Sequence, residues 1–196
     1  MATRGAQTFL TPEEYITLER KAIPDADTVR SEYVNGEIIT MPGASFVHNL
    51  ITNNISGELR TRLKGTGCAA FSNDMRISIP SANSYFYPDV GVVCDAPRFE
   101  DDVFDILLNP IVIVEVLSPT TEAYDRGEKF SHYRQIESLQ EYLVVSQDKV
   151  NVERYLRKPD EWSITFFQEL TQQVALTSIQ CELPLQEIYE RVTFHE

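Results

Sequence analysis

The sequence predicts a mixed α/β fold, of the α+β mixed-sheet kind, and three observations carry that expectation. The run Pro110-Ile-Val-Ile-Val-Glu-Val-Leu117 is apolar enough to be a strand buried on both faces. A helix follows, capped by Asp125 and passing through Lys129 and Tyr133 to about Glu137. Glu141-Tyr-Leu-Val-Val-Ser146 is then a second strand, so the three form a strand-helix-strand unit with a right-handed crossover. With 196 residues, 42% hydrophobic and 24% charged, the chain is long enough to bury one sizeable core.

The other elements follow in order. Thr11-Pro-Glu-Glu14 combines a cap, a first-turn proline and a third-position acid, which predicts a helix to about Arg20. Asn35-Gly36, between β-prone pairs, predicts a hairpin because both turn positions need positive φ. After Pro42 and Gly43, Ser45 caps a longer helix whose apolar positions Val47, Leu50, Ile51, Ile55, Leu59 and Leu63 recur by threes and fours, ending at Gly65. From Cys68 the period becomes two. Met75, Ile77 and Ile79 alternate with Asp74, Arg76 and Ser78, as in a strand with one wetter face. Tyr85 to Cys94 reads as the next strand, and Glu100 to Asp105 as a solvated acidic loop. Val150–Leu156, Trp162–Phe167 and Gln173–Ile179 are later strands, closed by a helical turn over Leu185–Arg191.

The net charge of −13 argues against a general affinity for phosphate backbones, so any nucleic-acid site must be local. Cys68, Cys94 and Cys181 are odd in number and far apart, which argues against a disulfide framework or a zinc site and for a reducing cytoplasm. The first residues lack an apolar signal core, and no run approaches the roughly 20 apolar residues of a membrane span. We expect a protein without membrane partners.

Two carboxylates interrupt apolar runs, Asp89 in Tyr85–Cys94 and Glu115 in Pro110–Leu117. A charge in such a run is costly unless a cation meets it, and two side by side point to a divalent metal. Each has a structural competitor: Asp89 follows a proline and would also close a turn or bind a backbone amide, and Glu115 would also pair with a buried arginine such as Arg76.

Pro88-Asp89, followed 26 positions later by Glu115 in Val-Glu-Val-Leu-Ser-Pro, resembles the signature of the restriction-endonuclease-like nucleases, a Pro-Asp followed by Asp/Glu-X-Lys. More closely, the chain is similar to the Uma-type family of small endonucleases expanded in cyanobacteria. The likeness spans roughly residues 10 to 190. It includes Glu32, Asn35-Gly36-Glu37, Met41-Pro42, His48, Asp74-Met-Arg76, Tyr87-Pro-Asp89, Glu115-Val-Leu-Ser-Pro119, Asp125, Lys129, Tyr133 and Glu141-Tyr142.

That resemblance implies one domain over residues 1–196 with a helix, three-strand, helix, strand core at about 45–147, extended by an N-terminal hairpin and C-terminal strands. It implies a Mg²⁺-dependent DNA endonuclease, with Mn²⁺ able to substitute; a homodimer is expected because cutting both strands of a duplex is simplest with two sites about a twofold axis. Hydrolysing a phosphodiester needs an activated water and a cation against the phosphoryl oxygens, which a hard metal on oxygen ligands supplies. Asp89, Glu115 and the Val116 carbonyl are the implied ligands. The motif lysine is absent, because position 117 is Leu, and the resemblance transfers its role to Lys129 on the next helix. Glu32 and His48 are accessory candidates. The structural competitors are a solvated Lys129, a packing or capping His48, a solvated hairpin-end Glu32, and a cross-strand ion pair between Asp74 and Arg76. Two other functions compete with catalysis: a non-catalytic metal- or nucleic-acid-binding module, suggested by Leu117, and a structural or partner-binding protein.

Overall fold

The structure is a computed structural model that describes residues 9–22, 30–41 and 43–194; Pro42 and the residues before Phe9 lie outside it. Helix α1 (Pro12–Ala22) opens with a reciprocal cap, Glu14 N–H donating to the Thr11 hydroxyl at 3.2 Å and Thr11 N–H to the Glu14 carboxylate at 2.8 Å. Strands β1 (Ser31–Val34) and β2 (Glu37–Thr40) form the hairpin, with Asn35 and Gly36 at φ 49° and 97°. Helix α2 (Phe46–Arg62) is capped by the Ser45 hydroxyl, which accepts from His48 N–H at 3.0 Å.

Strands β3 (Cys68–Ser72), β4 (Arg76–Ile79), β5 (Ser84–Phe86), β6 (Val90–Cys94), β7 (Ile106–Leu107) and β8 (Val112–Leu117) follow. A helical segment then runs through α3 (Glu122–Tyr124), a π turn (Asp125–Lys129) and α4 (Phe130–Tyr133). Strands β9 (Glu141–Ser146), β10 (Val152–Arg157), β11 (Trp162–Phe167), β12 (Gln173–Leu176) and β13 (Cys181–Pro184) precede helix α5 (Leu185–Ile188).

Among the described residues the strands form a six-stranded sheet in the order β11-β10-β9-β8-β6-β3, a five-stranded sheet β2-β1-β5-β4-β7 and the ribbon β12-β13. Only β8 and β9 are parallel in the larger sheet, as the strand-helix-strand reading requires. Strand β8 is buried on both faces. Its even positions Val112, Val114 and Val116 pack with Ile51, Ile55 and Leu59 of α2 and with the C-terminal ribbon. Its odd positions Ile113 and Leu117 pack with Tyr133, Tyr142 and the Ile77/Phe86 side of the smaller sheet. Glu115 is odd, so it points toward the helical segment and the second sheet.

Several expectations are corrected. Tyr85–Cys94 is not one strand: Pro88 cannot donate to a ladder, and around it the chain leaves β5 in one sheet and enters β6 in the other, with Asp89 in the crossing. Strand β4 has no wet face, because Ser78 is buried and Arg76 is 2% exposed, held by Tyr87 and Asp105. Asp74 pairs with Arg30 instead, so the Asp74/Arg76 ion pair does not form. Asp105 is likewise no solvated loop acid, and Ile106 pairs beside Arg76 as a short parallel strand.

Asp125 does not cap its helix either. The segment starts earlier, Asp125 N–H bonds to the Thr121 carbonyl at 2.9 Å, and the side chain lies inside. Cys68 and Cys94 form a disulfide, because the β3/β6 register places them directly opposite one another despite their 26-residue separation. Strand β13 was not anticipated. No helix among the described residues is long and apolar enough to cross a membrane.

Candidate active site

The crossing at Asp89 and the buried strand β8 meet at one place. The β6/β8 register pairs Val90 with Val114, and continued by one residue it sets Asp89 opposite Glu115; directly opposed residues of an antiparallel pair share a face. Asp89 accepts the Val116 N–H at 2.7 Å and lies 3.3 Å from Nε2 of His48, which the first turn of α2 delivers. The amide bond anticipated as a competitor for Asp89 therefore exists, and it fixes this carboxylate beside Glu115 rather than diverting it.

The helical segment supplies the cation. Lys129 Nζ lies 2.9 Å from Glu115 Oε1 and 2.8 Å from Glu32 Oε1, which β1 brings from the other sheet. Asp125 is 3.9 Å away, and the Tyr133 hydroxyl donates to Glu115 at 2.9 Å. Asp125, Lys129 and Tyr133 are four apart and all turn inward. The π turn spans the first two, and the Tyr142 hydroxyl donates to the Asp125 carbonyl at 2.9 Å there. Such turns recur at functional sites because they re-aim side chains within a helix. Glu32, Glu115, Asp125 and Lys129 are each 3–4% exposed, so neither the solvated Lys129 nor the solvated Glu32 is realised, and Glu115 meets Lys129 rather than Arg76.

Burial sets the electrostatics. It pushes the Glu115 carboxyl well above the usual range; Lys129 opposes this, while Asp89, Asp125 and Glu32 add to it. Glu32 and Asp125 are raised for the same first reason. Lys129 is held charged although burial works against it, since Glu115 and Glu32 outweigh the desolvation. His48 is also raised, because Asp89 and the Val116 backbone overcome the cost of burial.

These groups line a cavity of about 660 Å³ whose mouth includes Arg30, Ser45, Ser118, Thr120, Thr121 and Gln147. The other basic groups lie elsewhere. Arg62 pairs with Glu58 at the far end of α2, roughly 20 Å along the helix from His48. Arg126 is held by Glu122 and Glu153, and Arg157 by the carbonyls of Leu139, Arg134 and Ile136. Tyr124, a cavity residue, is not singled out by the sequence, and Asp125 is read there as a cap and as part of the family likeness but not as a site residue. The spacing of four between Asp125, Lys129 and Tyr133 was the available signal for one inward face.

Residues 12–186 match the profile of the Uma2 family, described as "Putative restriction endonuclease". The chain is 40% identical over 158 residues to an uncharacterised Synechocystis protein, sll1609, covering 80% of this chain and 86% of the relative. A second uncharacterised Synechocystis protein, slr1290, is 36% identical over 186 residues, 94% of each chain. A crystal structure from Anabaena variabilis, titled "a putative nuclease belonging to DUF820", superposes with a TM-score of 0.75 at 20% identity, over 94% of this chain and 99% of that one. The match supports the restriction-endonuclease-like architecture anticipated from the strand and helix order. By profile, close relatives and fold together, the chain belongs to the Uma2 family.

Proposed function

We propose that this chain is a divalent-metal-dependent nuclease that hydrolyses phosphodiester bonds in DNA. The observation that carries the reading is the convergence of Asp89 and Glu115, opposed on one sheet face, with Lys129 Nζ 2.9 Å from Glu115 on the cavity wall. Among the described residues no three His, Cys, Asp or Glu side chains form a ready-made metal cage. The donors present nevertheless suit Mg²⁺, which takes oxygen ligands, keeps several waters and is ordinarily bound by one or two carboxylates plus substrate phosphate. Four acids, Glu32, Asp89, Glu115 and Asp125, face Lys129 and His48, so the site gains from added positive charge.

Mg²⁺ or Mn²⁺, when bound, would neutralise phosphoryl charge and make a water more nucleophilic. Asp89 and Glu115 would hold it, with the Val116 carbonyl as third ligand. The Val116 N–H already points at Asp89, and N–H and C=O of one extended residue face the same neighbour, which supports that assignment. Lys129 remains protonated, so its role is to donate to the water or to a phosphoryl oxygen as charge develops. Leu117 shares the Glu115 face of β8, packs in the apolar layer at 2% exposure and is not among the residues lining the cavity. The helix therefore delivers the cation that the strand does not. The reading includes a homodimer, since cutting both strands of a duplex is simplest with two sites about a twofold axis.

The test is cleavage of several DNA forms with Mg²⁺ or Mn²⁺. Cutting should disappear in Asp89→Ala, Glu115→Ala and Lys129→Met. Cutting that persists unchanged in the two alanine variants rejects the site, and metal and DNA binding without cleavage on any form moves the chain to a non-catalytic binding module.

A further inference from the structure

Among the described residues, two side chains of permanent positive charge line the cavity, Lys129 and Arg30. They are held very differently. Lys129 is 4% exposed and clasped by Glu32 and Glu115, whereas the Arg30 side chain is 48% exposed and pairs with Asp74, itself 88% exposed. An ion pair with both partners in water is screened and weak, so it opens at little cost. Its two hydrogen bonds, to the Asp74 carboxylate and to the Asn73 carbonyl at 3.2 Å, both use Nη1; Nε and Nη2 have no partner among the described residues. The fork that a guanidinium offers to a carboxylate or phosphate is therefore not used up within the protein.

Asn73 fixes where that guanidinium stands. At φ 64° it occupies the left-handed region that asparagine tolerates, in the turn between β3 and β4. Its carbonyl accepts from Arg30 and its N–H donates to the Asp89 carbonyl at 3.2 Å, so a single residue separates the guanidinium from the backbone of the proposed metal ligand. Arg30 Cζ also stands 5.7 Å over the ring of Tyr87, two residues before Asp89. The arginine belongs to the Asp89 side of the proposed centre rather than to a remote surface.

A strand whose scissile phosphate reaches Asp89 and Glu115 brings further phosphates with it, and a net charge of −13 leaves them no general basic surface. We propose that Arg30 is a substrate-binding residue that exchanges Asp74 for a phosphate of the DNA strand next to the one at the proposed centre. Asp74 is its counter-ion in the free protein, and the phosphate takes the place of that carboxylate on the same fork. This rests on the nuclease reading above and deepens it by naming a group that holds the strand: one local contact stands in for a basic groove.

Arg30→Gln and Asp74→Asn test it, singly and together. A short fluorescent oligonucleotide, single-stranded and as its duplex, is titrated in Mg²⁺ by anisotropy over a series of salt concentrations, with cleavage followed in parallel and thermal melting recorded without DNA. Arg30→Gln is expected to melt like the wild type, since an exposed ion pair adds little stability. Its DNA affinity should weaken on the order of 10-fold, and the slope of log affinity against log salt should fall by about 1, the mark of one lost phosphate contact. Arg30→Lys, which keeps the charge without the fork, should keep the salt slope. Asp74→Asn should tighten binding about 2- to 5-fold, and this gain should vanish in the double variant because it acts by releasing the arginine. Affinity and salt slope of Arg30→Gln equal to wild type would overturn the assignment. So would a gain from Asp74→Asn that persists in the double variant, which marks a general field and not a released partner. If the wild type neither binds nor cuts either DNA form, the nuclease reading fails and the assignment with it; if the wild type binds and Arg30→Gln binds equally well, only the assignment fails.

Discussion

Replacing Lys129 by methionine probes the site most directly. Methionine keeps the volume of the lysine stem and removes the charge, so Glu32 and Glu115, each 3% exposed, lose the ammonium held within 2.9 Å of both. Removing one partner of a buried ion pair costs about 3–5 kcal/mol, because the remaining charge is left desolvated and unpaired. For a chain of this length, about 2–4 °C per kcal/mol puts the fall in melting temperature at roughly 6–20 °C. The penalty depends on pH. Both carboxyls already have raised pKa values, so the protonated forms are favoured by the fold; at low pH the variant escapes by keeping them protonated, and the loss grows as pH rises through those values. Urea and thermal unfolding at pH 5 and pH 8 would measure this. A Lys129→Met protein that melts within a degree or two of wild type at pH 8 would show that the three groups are not an enclosed cluster, and the reasoning behind the site would fail.

Three other predictions follow from separate features. Mg²⁺ near 100 times its dissociation constant should stabilise the wild type by roughly 2.7 kcal/mol, read as a rise in melting temperature that vanishes in the Asp89→Ala/Glu115→Ala double variant; an unchanged rise there would place the metal elsewhere. Arg20 grips Asp105 through Nε at 3.1 Å and Nη2 at 2.7 Å, and Arg76 lies 3.3 Å away. Burial opposes but these arginines prevail, so the Asp105 pKa is lowered in the fold; its contribution is present above the ordinary carboxyl value of 3.8 and is lost as pH falls through the folded value. Asp105→Asn should therefore flatten the acid limb of a stability profile and be most costly near neutrality. Finally, a Cβ on Gly91 would come 2.3 Å from Phe71 Cζ across the β3/β6 pair, so Gly91→Ala should destabilise by about 1–3 kcal/mol in chemical denaturation, with Phe71→Ala in the same chain recovering part of it.

Much of the architecture was legible because it follows from local chemistry. Asn35-Gly36 prescribes a turn that few other pairs tolerate, Thr11 and Glu14 cap each other's amides, and Ser45 opens α2 three residues before His48. The apolar run of β8 and its parallel neighbour β9 were equally visible. Errors arose where a distant partner overrides a local pattern. Arg76 sits on what looked like a wet face because Asp105 and Tyr87 are there to receive it. Cys68 finds Cys94 through strand register, and Asp125 leaves the capping position because Lys129 and the π turn draw it inward.

The candidate site divides along the same line. That Asp89 and Glu115 were acids in apolar settings could be read from the chain itself, since an unpaired charge there is expensive whatever the fold. Family likeness nominated Lys129, Glu32 and His48 but carried no distances. Only the tertiary structure decided that Glu32 and Glu115, from different sheets, close on one ammonium and that Asp89 lies in the crossing between those sheets. The physical reason is that sequence encodes the cost of each residue's environment, whereas the partner that meets the cost is selected by packing between elements far apart in the chain.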